Sequence, residues 1–324
     1  MGNDILEREG YLFQKIQAGE CSIEEQSKET VCDQWSRNSK EKAACMDPPG
    51  NELPEALFLQ GWDLKKGTFE ISVDTYYIGK YEVTAKQYED CVLQGWCPPT
   101  RGDCYSIRYI GYPKRSSIDN MPAFWNEPKR DKCPMICVSW AAARSYCRWL
   151  GGDLPTENQW EYAARCSGMS KDTTDNKGGE SEGKCYESNI SQTVKEEIED
   201  SKIYNMNDSV SEWNREQVWM RWSDNPTKIQ YFTTNREECL KKYPEECPEQ
   251  KVKYYLPGIC QEADEHVPDN LFRGGSSELP GYARYPGWRW AGPPFPTPII
   301  GMRCVIELKS SSDDGGAMGS IPAT

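Results

Sequence analysis

With 324 residues, 37% of them hydrophobic, the chain can bury the core of one large domain or two modest ones. A net charge of −13 excludes nucleic-acid binding, which needs basic residues to displace counterions from phosphates, and no basic stripe offsets the balance. Fifteen cysteines against a single histidine, with no CxxC pair, exclude zinc scaffolds and point to disulfides in an oxidising compartment.

The odd cysteine total leaves at least one thiol free or bonded to another chain. The first residues, MGNDILEREG, are polar, and no apolar run is long enough for a membrane helix. An oxidising compartment therefore implies a targeting segment that has been removed. Residues 1–50 are expected to form an N-terminal helical extension carrying Cys21, Cys32 and Cys45. Two of these could staple a helical hairpin while the third reaches the main domain, assigned to 51–308.

Within that domain FEISVDTYYIGKYEVT (69–84) reads as strand, rich in β-branched and aromatic residues. Thr84 and Gln87 have capping-box spacing, so a helix should begin at Ala85. Prolines at 98, 99, 113, 122 and 128 keep 94–136 irregular. Ser139 can N-cap a helix that stops at Gly151-Gly152, and Thr156 with Gln159 marks another capping box. Residues 167–188 read as a polar surface loop. Residues 214–269 read as a charged insertion whose Cys239, Cys247 and Cys260 provide a disulfide of its own. The tail, 309–324, is low in complexity and expected to be disordered.

The segment VSWAAARSYCRWLGGDLPTENQWEYAAR (138–165) resembles the signature of the formylglycine-generating enzyme (sulfatase-modifying factor) family. SVDTYYIGKYEVTAKQYEDCV (72–92), YNMNDSVSEW (204–213), NLFRGGSSE (270–278) and IIGMRCV (299–305) resemble further family segments in the same order. The resemblance implies an α+β fold: a loop-rich variant of the C-type lectin fold, with mostly short antiparallel strands and few helices.

It also implies what chemistry to look for. Members that oxidise a cysteine of a sulfatase peptide use two copper-binding cysteines shortly after the R-G-G-S run. Here no cysteine lies between Cys260 and Cys304, and an ungapped count puts Leu279 and Arg284 at those positions. Copper(I) needs soft thiolates, so no copper is expected. A related branch holds iron with three histidines, which one histidine cannot supply. His266 reads as a solvated surface residue, and no spacing singles out a carboxylate pair among the 51 acidic residues.

The family's calcium loop corresponds here to Asn205, Asp208, Val210 and Glu212: two side-chain oxygen donors flanking two carbonyls, as Ca²⁺ requires. The alternative is a turn that closes on hydrogen bonds alone. Asp208 stands where the family usually has Gly. The family's paired cysteines correspond to Cys147 and Cys304. Tyr282, Tyr285, Trp288 and Trp290 interleave with Arg284 and Arg289, residue types enriched at binding hot spots. They either pack over a loop or form a recognition surface. The expectation is a non-catalytic binding or assembly protein, secreted, periplasmic or at the cell surface, with a protein partner or complex subunits. The alternatives are an enzyme with an unrecognised site in the same groove and a displayed variable ligand-binding receptor.

Overall fold

The computed structural model describes residues 4–24, 28–36, 38–46, 60–61, 68–99, 131–171, 184–185, 190–191, 201–206, 209–222, 229–233, 253–256, 259–262, 269–275, 290–292 and 299–308. Short, mostly antiparallel strands with a few helices make it an α+β fold.

The N-terminus departs from the helical expectation. Residues 5–24 are three strands, Ile5–Arg8, Tyr11–Ile16 and Gly19–Glu24. The first two join through Glu9 and Gly10, both at positive φ (47° and 73°), the two-residue turn whose twist suits a hairpin. In YLFQKI, Tyr11, Phe13 and Ile16 are buried, so this strand forms core rather than appendage. It pairs with Tyr76–Gly79, which in turn pairs with Val305–Glu307, giving one antiparallel sheet of four strands from both ends of the chain. Gly19–Glu24 pairs with Thr68–Val73, and Cys21 is bonded to Cys166. Helices do follow: α1 (Lys28–Trp35) and α2 (Ser39–Met46).

The remaining helices begin where their caps require. In α3 (Ala85–Leu93) and α5 (Glu157–Glu161), Thr84 and Thr156 each accept from the backbone N–H three residues on, while Gln87 and Gln159 reach back. Ser139 caps α4 (Trp140–Trp149), whose chain turns away at Gly151 (φ 85°). The helix begun by α5 widens into a π-turn over Tyr162–Cys166.

A second, larger sheet runs Ile229–Thr233, Ser211–Trp222, Asp269–Arg273, Trp290–Gly292 and Gln60–Gly61, with Ile300–Gly301 alongside Ser211 and Glu212 in parallel. The strand Ser211–Trp222 thus carries the sheet well past residue 214, where the insertion was expected to start. Within the expected loop 167–188, Ser170–Lys171 pairs in parallel with Ile203–Tyr204, and Cys185 is buried and bonded to Cys133.

Two apolar clusters share the interior. One packs Phe13, Tyr88, Tyr146, Leu150, Trp213, Phe272 and Met302; the other packs Ile16, Ile71, Ile78, Trp160, Ile203 and Val305. Cys147 and Cys304 are bonded across the first, at a sequence separation of 157. The tail 309–324 lies outside the described residues, as do Cys104, Cys239, Cys247 and the Cys45 and Cys260 side chains.

Candidate functional site

Between the two clusters lies a buried group of charges, assembled from three distant stretches of chain. Glu82 sits on the connection from Tyr76–Gly79 to α3, and Asn205 and Glu212 sit at the two ends of one loop. Arg303 comes from the closing segment. All four are essentially inaccessible to solvent.

Arg303 organises the group. Its Nε lies 3.0 and 3.1 Å from the Glu212 oxygens Oε1 and Oε2, and its Nη2 donates to Oε1 at 2.8 Å. Nη1 donates to the Gly79 carbonyl and Nη2 to that of Tyr204, both at 2.7 Å. The guanidinium thus ties together the first sheet, the loop and the second sheet. From α5, Trp160 Nε1 donates to Glu212 Oε2 at 2.8 Å. Burial works against the charge on Arg303, but Glu212 outweighs it and holds its pKa above the ordinary value.

Asn205 Nδ2 donates to Glu82 Oε2 at 3.0 Å. Asn205 and Ser209 adopt positive φ, 61° and 74°, and Asn tolerates that region better than most side chains. The loop is fastened by Ser211, whose N–H donates to the Ile299 carbonyl and whose Oγ donates to that of Gly274. Gly274 (φ 78°) is required there, because a Cβ would stand 2.9 Å from the Met206 carbonyl oxygen. It is the first glycine of the R-G-G-S run. Arg273 beside it pairs with Glu157 and Glu161 on α5, both at 2.5 Å.

Two carboxylates face one guanidinium here. Burial is the largest influence on Glu82, with Arg303 opposing and Glu212 adding to it, and its pKa is pushed up to about 7. The Ser209 hydroxyl eases its ionisation, yet Glu82 Oε1 receives no hydrogen bond of ordinary length and angle. A buried carboxylate oxygen without an ordinary hydrogen bond, beside an amide side chain and a second carboxylate, is a set of hard oxygen donors of the kind a hard cation takes. Among the described residues no three Asp, Glu, His or Cys side chains converge, so any cation would need amide and carbonyl oxygens as well.

Of the expected ligands, Asn205 and Glu212 belong to this buried group through Glu82 and Arg303, and Val210 is buried against Gly301. Asp208 lies outside the described residues, as do Tyr282, Arg284, Tyr285, Trp288 and the side chain of Trp290, whose backbone pairs with Phe272. Sequence reasoning missed Glu82, Trp160 and Arg303. The usable signal was Lys80 and Glu82 inside the apolar run YYIGKYEV, where both are buried.

The cysteines carry the other half of the chemistry. All ten whose side chains are described are disulfide-bonded: Cys21, Cys32, Cys91, Cys97, Cys133, Cys137, Cys147, Cys166, Cys185 and Cys304. The family model described as "sulfatase-modifying factor enzyme 1-like domain" matches residues 42–308. The chain belongs to that family.

Its similarity to named members is mixed in kind. Inactive C-alpha-formylglycine-generating enzyme 2 of Mus musculus is 30% identical over 148 residues, covering 37% of this chain and 48% of that protein. Formylglycine-generating enzyme of Bos taurus is 28% identical over 143 residues, covering 35% of this chain and 38% of the enzyme. The chain thus spans about half or less of the curated relatives' length. Among solved structures, PvdO from Pseudomonas aeruginosa aligns over 94% of this chain and 98% of its own, with a TM-score of 0.48 and 16% identity. The relatives include one named as the formylglycine-generating enzyme and one named as inactive, so activity turns on this chain's own residues. Among the described residues no helix is long and apolar enough to cross a membrane.

Proposed function

We propose that this domain is a non-catalytic member of the family, a binding or assembly module that works in an oxidising compartment: secreted, periplasmic or at the cell surface. One observation carries the reading. No cysteine lies between Cys260 and Cys304, and no two cysteines anywhere in the chain are five residues apart. The thiolate pair that copper(I) chemistry needs is missing. Every described cysteine is instead in a disulfide, which supports both the loss of that chemistry and the oxidising location.

The decisive experiment is direct. Purified protein is incubated with copper, oxygen and a sulfatase-type cysteine peptide, and the peptide is weighed by mass spectrometry. The expected result is no formylglycine above a no-protein control; turnover would overturn the reading.

Without a reaction to run, the chain's remaining business is contact. The segment from Tyr282 to Trp290, with Arg284, Tyr285 and Trp288, is the partner-binding surface of this reading, since Tyr, Trp and Arg anchor interfaces. Trp288→Ala with Arg284→Ala should weaken co-purification of the native partner while leaving the melting temperature nearly unchanged. The loop Asn205–Glu212 takes one calcium ion, through Asn205, Glu212 and the carbonyls of Asp208 and Val210, and the ion fastens the loop. Calcium should then raise the melting temperature, because a ligand that binds only the native state stabilises it.

A further inference from the structure

The ligand set implied by the family takes its carboxylate from Glu212, and in this chain that carboxylate is already committed. Both oxygens face the Arg303 guanidinium at 2.8–3.1 Å, and Oε2 also accepts from Trp160 at 2.8 Å. A forked guanidinium and an indole N–H leave little of either oxygen for a third partner.

Glu82 is placed differently. It is fully buried, its Oε2 accepts from Asn205 Nδ2 at 3.0 Å, and its Oε1 lacks a hydrogen bond of ordinary geometry. We propose that Glu82, from the connection ahead of α3, is the carboxylate through which a divalent cation is held at the Asn205–Glu212 loop. The proposal rests on the calcium reading above and changes which side chains carry it.

Three physical considerations converge on this residue. A buried carboxylate oxygen whose nearest hydroxyl, Ser209, makes no hydrogen bond of ordinary geometry is poorly compensated, and a proton or a cation would relieve it. The Glu82 and Glu212 carboxylates repel each other across the Arg303 guanidinium, and a cation beside Glu82 would ease that repulsion where the low dielectric makes it matter most. Finally, the Asn205 amide can ligate only through Oδ1, and the bond from its Nδ2 to Glu82 fixes which way round it sits. Glu82 would therefore both supply a ligand and orient a second one. Glu212 would remain the counter-ion of Arg303, holding the loop's far end in place.

The test uses terbium(III), which takes calcium's oxygen ligands and emits when a nearby tryptophan is excited; Trp160 touches the site through Glu212. The full chain, treated with a chelator, is titrated with terbium, and calcium is then added as competitor. The parent should show sensitised emission that calcium reverses, and Glu82→Gln should weaken the affinity by roughly tenfold or more. Thermal melts establish that each variant is folded. Glu82→Asp, which keeps the charge on a shorter stem, is the second variant, and it should bind measurably but more weakly than the parent. Parent-like affinity in either variant overturns the assignment to Glu82 and leaves the loop's calcium intact. No emission and no competition in the folded parent would remove the calcium reading together with this proposal.

Discussion

The closing segment Met302-Arg303-Cys304-Val305 faces two interiors that differ in kind. Met302 and Cys304 enter the apolar cluster around Tyr146 and Trp213, and Val305 enters the cluster around Ile78 and Trp160. Arg303, between them, enters neither and is held by Glu212 and the carbonyls of Gly79 and Tyr204. All four are fully buried, yet they respond to damage differently. An apolar cluster loses stability in proportion to the atoms removed. A buried charge group fails more abruptly, because each lost partner strands a charge in low dielectric.

The sharpest way to break the comparison is Arg303→Met. It removes the guanidinium that faces Glu82 and Glu212 among the described residues, at an expected cost of roughly 3–5 kcal/mol. Chemical denaturation should show that loss, or the protein should fail to accumulate folded. Adding Glu212→Gln to Arg303→Met should recover part of it, since a neutral pair costs less than a stranded carboxylate. A double variant no better than the single would mean that Arg303 acts through its carbonyl contacts instead.

The apolar side is tested by Cys147→Ala with Cys304→Ala. The bond links positions separated by 157 residues, and removing a native disulfide costs roughly 2–5 kcal/mol. The loss should be insensitive to salt and pH between 6 and 8. Stability equal to the parent would show that packing around Tyr146 and Leu150 alone holds the two segments together.

Trp160→Phe asks how far the charged region extends into the second apolar cluster. It keeps most of the ring but deletes the N–H that donates to Glu212 Oε2 at 2.8 Å. Loss of a bond to a charged acceptor costs roughly 1.5–3 kcal/mol. A loss below about 0.5 kcal/mol would show that Arg303 satisfies Glu212 unaided.

What could be read in advance follows the same divide. The helix starts at Thr84, Ser139 and Thr156 were legible because a cap is decided within three residues of itself. The α+β class came from the resemblance carried by 138–165. The N-terminal strands were not legible as such: Tyr11–Ile16 finds its partner at Tyr76–Gly79, and strand pairing at that distance leaves no local trace. Even so, Glu9-Gly10 between two alternating runs was a hairpin signal that the charged residues around it obscured. The charge group was hidden for the same reason. Arg303 meets Glu212 across 91 residues and Gly79 across 224. A charged residue in an apolar run announces that a partner exists, never which one.

The smallest effect is expected at the border of these regions, where Asp153 takes a bifurcated grip from Arg144 (2.8 and 3.2 Å from Nε, 3.0 Å from Nη2) and accepts from the Leu154 N–H at 2.8 Å. Its backbone bridges Val305, so it joins α4 to the closing strand. Burial acts to raise its pKa, but the hydrogen bonds from Arg144 and Leu154 and the nearby Arg215 outweigh it and hold the carboxyl below the usual range. The unfolded chain, with an ordinary carboxyl near pH 4, therefore binds the proton more readily than the folded one. The stabilisation is complete above about pH 4 and fades as pH falls through the lower folded value. Asp153→Asn should cost about 1 kcal/mol at pH 7, modest because the pair is partly exposed. The difference between variant and parent should shrink as the pH drops below about 4. An equal loss at pH 7 and pH 3 would mean that Asn disturbs the Val305 bridge itself. Asp153 would then belong with the packed interior, and the charged region would end at Arg303.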